Sequence, residues 1–263
     1  MSALPAGGAS MLCVRFPEKA LEGSTALLDF AELGRVAVAE PVAADAPAPT
    51  DPEAFLVVHL AGGNAAPPQT REAAEAWIAG PGVIDLTLQS DRILWRPGRA
   101  LVIGAAADFD AYLQGLTSFA FYESELRRLE RDLLTWWPVA QKDARLTHRV
   151  DGRALYRWAH VAKMTEAITG ARFRHVAIEG PLEKGPEPLP GLGRRLFVEL
   201  ALRIEATHRL ERLDDRIDVV ADLYELANDR LSEFSYFRRE YVLEFLIIGV
   251  LALEVLLLLY EIL

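Results

Sequence analysis

Six carboxylates pose the first chemical question. Glu211, Asp215, Asp218, Asp222, Glu225 and Asp229 recur at intervals of three and four residues, which on an α-helix sets them along one face. Such a face could hold divalent cations or a basic partner. These six, however, fall on the b and f positions of a heptad whose a and d positions are apolar, where solvated charge is expected. The five histidines, His59, His148, His160, His175 and His208, lack the close helical spacing of a paired-histidine metal site, and each is assigned an ordinary polar role. Cys13 is the only cysteine, so an intrachain disulfide, a cysteine zinc site and an iron–sulfur cluster are all excluded. Gly62-Gly63 and Gly191-Leu192-Gly193 supply neither a phosphate-binding loop nor a dinucleotide fingerprint and read as turns. No Ser-His-Asp, Cys-His or paired-carboxylate arrangement is identifiable. The sequence offers no catalytic residue, no metal ligand and no cofactor site, and an enzyme is the less favoured reading.

The chain has 263 residues, 51% of them hydrophobic, enough for a real core. A formal net charge of −10 argues against a broad nucleic-acid-binding surface, because phosphate backbones are held by clustered Lys and Arg. Met1 to Ser10 carries no Lys or Arg and reads as neither a secretory signal nor a transit peptide.

The elements that must position any site divide into four segments. Residues 1–106 form an α/β domain, with strands expected at Met11 to Phe16, Arg35 to Ala39, Phe55 to Leu60, Val83 to Leu88, Arg92 to Trp95 and Ala100 to Ile103, and short helices at Lys19 to Phe30 and Glu72 to Ala79. Ala39 to Pro52 reads as a linker. Residues 107–193 are a helical region. Tyr112, Phe119, Leu126 and Leu133 share one heptad position and Tyr122, Leu129 and Trp136 its companion, predicting a long amphipathic helix that ends at Trp136-Trp137-Pro138. Gly180 to Gly193, with four prolines, is expected to be a loop. Residues 194–240 form a coiled-coil-like helix with a seam of Leu210, Leu213, Ile217, Val220, Tyr224, Ala227, Leu231 and Phe234. That seam suits either packing within one copy or a self-associating coiled coil, so a homo-oligomer remains open. Without a breaker between Arg194 and Glu240, the helix is expected to run into the last segment as one rod.

The last segment, 241–263, reads YVLEFLIIGVLALEVLLLLYEIL, interrupted by Glu244, Glu254 and Glu261. Its length and apolarity predict a single-pass transmembrane helix, a tail anchor in the lipid bilayer. Arg238 and Arg239 precede it and no basic residue follows, which places residues 1–240 in the cytoplasm, at the inner membrane. Tyr241 and Tyr260 suit the two interfaces, and Glu254 is either a contact to another helix or a group facing the headgroups. The overall expectation is an α+β protein: a small N-terminal α/β domain, a helical middle with long coiled-coil-like helices, and one C-terminal transmembrane helix.

The run LERLDDRIDVVADLYELANDRLSEFSYFRREYVLEFLIIGVLALEV resembles the C-terminal signature of the required-for-meiotic-nuclear-division family, also labelled with the bacterial name YagE. Leu243, Glu244, Ile247, Ile248, Glu254 and Val255 match its LE-x-x-II-x-LI-x-x-EV-like membrane helix, and FYESELRRLE, from Phe121 to Glu130, is similar to the family's aromatic and acidic helix. Residue 245 is Phe where the family pattern has Trp, and the Pro-rich loop before Gly193 departs from it. The resemblance implies a membrane-anchored protein that supports translation, holding ribosomes near the membrane; it carries no catalytic residues. Three functions compete: a non-enzymatic scaffold for a protein partner, an enzyme or ligand sensor acting on a nucleotide or phosphorylated small molecule through the N-terminal domain, and a signalling adaptor.

Overall fold

The computed structural model describes residues 9–19, 25–43, 53–62, 67–148 and 157–262, with side chains through Val255. Most of the Ala39 to Pro52 linker, Gly63 and the side chains of Tyr260 and Glu261 lie outside the described residues. Contacts divide the chain into two compact units, Met1–Glu130 with Phe173–Leu213, and Arg131–Arg172 with Asp214–Leu263.

The first unit is built on seven strands: β1 (Ala9–Arg15), β2 (Ala26–Phe30), β3 (Arg35–Pro41), β4 (Phe55–Ala61), β5 (Ile84–Leu88), β6 (Asp91–Arg96) and β7 (Arg99–Gly104). They form one sheet in the order β2-β3-β1-β4-β7-β6-β5. Neighbours are antiparallel except β4 and β7, which run parallel from Leu56 opposite Arg99 to Ala61 opposite Gly104. The sequence FLVVHL explains the central place of β4. Its residues Phe55 to Leu60 are all buried, as a strand covered on both faces requires, whereas an edge strand alternates apolar and polar residues. Helix α1 (Pro68–Ile78) enters on prolines that need no amide partner and packs Ala74, Trp77 and Ile78 with Leu56, Val58, Leu60, Leu101 and Ile103 on one face. On the other face, Trp95 meets Phe119 of α2 (Phe109–Asp143) edge to face, with ring centroids 4.9 Å apart.

Four further elements differ from the sequence reading, each for a local reason. Of the helix expected over Lys19 to Phe30, residues 20–24 lie outside the described residues, and Ala26–Phe30 is β2, whose backbone pairs with β3 from Ala26 opposite Val38 to Phe30 opposite Arg35, so tertiary pairing overrides helix propensity. Helix α2 passes through Pro138 to Asp143. The proline removes one amide donor, which leaves the Leu134 carbonyl without its helical partner, and Leu134 is exposed, so water can take that role. Likewise α3 (Trp158–Lys184) continues through Pro181, reducing the expected loop to residues 185–190. The rod predicted from Arg194 is broken once, at Glu205, while its expected run from the seam into the last segment continues through Ile262. Helix α4 (Gly191–Arg203) stops, Glu205 turns left-handed at φ 54°, and α5 (Ala206–Ile262) begins anew. The amides of Ile204 and Glu205 fold back onto the carbonyls of Leu200 and Leu202, which closes α4.

Helices α2 and α4 cross at two glycines. A Cβ on Gly115 would lie 2.5 Å from the Gly193 carbonyl oxygen, and one on Gly193 would lie 2.5 Å from that of Ala111. Near this crossing, Phe197 packs edge to face on Phe119 and Tyr122. Arg209 of α5 donates to both oxygens of Glu130, at 2.7 Å each, and to Glu123 at 3.1 Å. Burial pulls the Arg209 pKa down, but Glu130 and Glu123 more than offset this and hold it above its ordinary value.

The heptad seam is consumed within the chain. Leu210, Leu213, Ile217, Val220, Tyr224, Ala227 and Leu231 are all 4% exposed or less, with Phe234 half-buried. The six carboxylates of the acidic stripe are exposed, opposite this seam.

The transmembrane anchor does not stand: among the described residues no helix is long and apolar enough to cross a membrane. The described apolar stretch, Tyr241–Val255, is interrupted by Glu244 and Glu254. The single-pass tail anchor at 241–263 and the inner-membrane location with residues 1–240 facing the cytoplasm fall with it.

Candidate functional site

The residues singled out at the end of α5 are placed together on one bare stretch of helix. Arg238, Arg239, Leu243, Glu244, Ile247, Ile248, Glu254 and Val255 are all exposed. Between Tyr241 and Val255 the apolar side chains are 55–74% exposed on every side of the helix, including Phe245 at 74%. An apolar surface of this extent costs free energy in water and marks an interaction surface.

A second site lies in the other chemistry of the same unit, where α2 ends and α3 begins. Asp143, the last residue of α2, is buried. Its carboxylate accepts from Arg157 Nη1 at 3.0 Å, from His160 Nε2 at 2.7 Å and from the Tyr224 hydroxyl at 3.0 Å. Accepting from Nε2 fixes the tautomer of His160. Burial first, then the hydrogen bond and charge of Asp143, push the Tyr224 phenol well above its ordinary range, so it remains a donor. In front of this carboxylate is a pocket of about 550 Å³ lined by Val139, Lys142, Asp143, Arg145, Arg157 and His160. The last turn of α2 supplies Val139 and Lys142, a 3-10 turn at Ala144–Thr147 supplies Arg145, and the start of α3 supplies Arg157 and His160. Lys142 and Arg145 make no ion pair with any described residue.

A groove of about 330 Å³ in the first unit has the opposite character, with Asp29, Glu32 and Glu187 among its lining residues beside Phe30, Tyr122 and three prolines. Burial and then the charge of Glu32 push the Tyr122 phenol up to about 12. Among the described residues no Lys, Arg or His lines it, so they offer a phosphate no counter-charge.

Three other histidines have partners outside this site. His59, on β4, stacks on Phe109 with centroids 4.1 Å apart and points Nε2 at the Gly104 carbonyl at 3.4 Å. Burial lowers its pKa, against the opposing pull of the Gly104 carbonyl and Asp91. Asp91 in turn accepts from Tyr112 at 3.1 Å and from the Ala105 amide at 3.2 Å. His175 is buried with Nε2 3.2 Å from the Leu210 carbonyl, and His208 lies 3.5 Å from Glu211 on the helix surface. Among the described residues no three His, Cys, Asp or Glu side chains gather as a metal ion requires.

Sequence reasoning missed the Asp143 cluster. Its members are 14, 17 and 81 residues from Asp143 along the chain, and the only local signal was a pair of basic residues, Lys142 and Arg145, around one acid. No protein-family model, no curated protein and no solved structure significantly matches the chain.

Proposed function

We propose that this chain is a non-enzymatic adaptor that assembles through the end of α5, two copies pairing antiparallel along Tyr241–Val255. One observation carries the reading: the apolar side chains there are more than half exposed around the whole helix. Charge selects the occupant and the direction. In a parallel pair Glu244 would face Glu244 and Glu254 would face Glu254. An antiparallel pair centred between Leu246 and Ile247 brings Arg239 of each copy opposite Glu254 of the other, with the self-complementary contacts of a two-fold interface. The heptad seam of α5 takes no part, because it is already buried within each copy.

The test is the mass of the full chain by light scattering across micromolar concentrations. A dimer is expected, and Ile247→Glu, which puts a charge at its centre, is expected to return a monomer with unchanged far-UV circular dichroism. A wild-type chain that stays monomeric throughout would refute the pairing. The resemblance to the required-for-meiotic-nuclear-division family supports a cargo in the translation machinery, and the net charge of −10 favours protein over RNA as the contacted surface. Co-sedimentation of the full chain with ribosomes checks that assignment, and its absence would remove the translation role.

A further inference from the structure

We infer that the pocket between the end of α2 and the start of α3 is a binding site for a small phosphorylated ligand, a phosphomonoester dianion held by Lys142, Arg145 and Arg157. The argument begins with charge. Among the described residues three permanent cations and one carboxylate line the pocket, in a chain whose formal net charge is −10. That carboxylate, Asp143, is already committed to Arg157, His160 and Tyr224. It therefore cannot neutralise Lys142 or Arg145, which have no ion-pair partner among the described residues. Like charges converging on one concavity repel each other when it is empty, and a dianion entering it relieves that repulsion.

Geometry assigns the roles. Arg157 spends one nitrogen on Asp143 Oδ1 and keeps the rest of its planar fork of donors, a shape that matches two phosphate oxygens. The buried Asp143 fixes where that fork points, so Asp143 is a positioning residue. Its hold on His160 at 2.7 Å fixes the imidazole beside the same opening. Lys142 and Arg145, both exposed, supply further charge from the end of α2 and the 3-10 turn that follows it. The volume, about 550 Å³, suits a ligand of sugar-phosphate to nucleotide size. Among the described residues no aromatic ring lines the pocket and Val139 is the one apolar residue, so none of them stacks on a base. A small polar phosphate ester fits better than a nucleotide or a nucleic acid. The inference stands apart from the pairing of α5 and can fail without it.

The test is calorimetric titration of the full chain with inorganic phosphate and with ribose 5-phosphate. Saturable binding at one site is expected, the two ligands competing, with no heat of binding from ribose alone. Arg145→Gln, at an exposed position that supports no fold contact, is expected to weaken both by roughly 10-fold or more, the ordinary effect of losing one charged hydrogen bond. Arg157→Lys is expected to weaken them similarly, because an ammonium cannot reproduce the fork. Lys163→Gln, which removes an exposed charge of α3 outside the lining, should leave binding unchanged. The inference is overturned if millimolar phosphate gives no saturable binding, if Arg145→Gln binds as the wild type does, or if Lys163→Gln weakens binding as much as Arg145→Gln, since that is diffuse attraction and not a site.

Discussion

Replacing Gly115 by Ala tests the helix crossing that organises the first unit, because two opposed effects of known size meet there. Gly115 is interior to α2, and an interior glycine costs a helix about 1 kcal/mol relative to alanine. On helix propensity alone, Gly115→Ala stabilises. The added Cβ, however, would sit 2.5 Å from the Gly193 carbonyl oxygen and 3.0 Å from its Cα and carbonyl carbon. These atoms are backbone of α4, so no side chain can swing aside. Ordinary contact requires α2 and α4 to part by roughly 1 Å, and overpacking of this kind costs ~1–3 kcal/mol. Parting them also loosens Phe119 and Tyr122 from Phe197, whose ring centroids are 5.7 and 6.1 Å away, at about 0.5–1.5 kcal/mol for each aromatic pair. The net expectation is a destabilisation of about 2 kcal/mol. Urea unfolding followed by tryptophan fluorescence measures it, since Trp95 packs on Phe119. Gly170→Ala is the control: it is interior to α3 and its Cβ would meet nothing within 4 Å, so about 1 kcal/mol of stabilisation is expected. If both substitutions raise the urea midpoint, the close crossing of α2 and α4 is wrong.

Two other expectations rest on buried charge. Glu123→Ala removes a carboxylate whose side chain is 3% exposed and leaves the guanidinium of Arg209, 15% exposed, with Glu130 alone; a loss of about 3 kcal/mol is expected in chemical denaturation, and a change within 0.5 kcal/mol would show the pair to be energetically idle. His59 gives stability a pH dependence of definite sign. Burial lowers its folded pKa below the ordinary 6.5, so the unfolded chain binds the proton more readily. Its contribution is present above pH 6.5 and is lost as the pH falls below it, at up to about 1.4 kcal/mol per pH unit for one proton. His59→Gln is expected to lose less stability than the wild type between pH 7 and pH 5, and equal losses would refute the role of burial.

Local pattern reached far into this fold where neighbours along the chain decide the outcome. Six of the seven strands, α1, the aromatic face of α2 and the buried seam from Leu210 to Leu231 were legible, because burial on one face leaves a periodic trace. The continuation of α2 through Pro138 and of α3 through Pro181 was not, since one missing amide is a local cost that the packing on either side outweighs. Nor was β2, whose residues read as the end of a helix from Lys19 to Phe30 and are shaped instead by pairing with β3.

By itself, the sequence determined that the chain has a sheet followed by long helices, that one face of α5 is apolar and the opposite face acidic, and that an intrachain disulfide is excluded. Tertiary structure alone decided the break at Glu205, the commitment of the α5 seam to its own chain, and the convergence of Arg157, His160 and Tyr224 on Asp143. The physical reason is range. Periodicity records which side of an element faces inward, but a buried carboxylate with three donors is assembled from residues up to 81 positions apart, and no spacing in the sequence encodes that meeting.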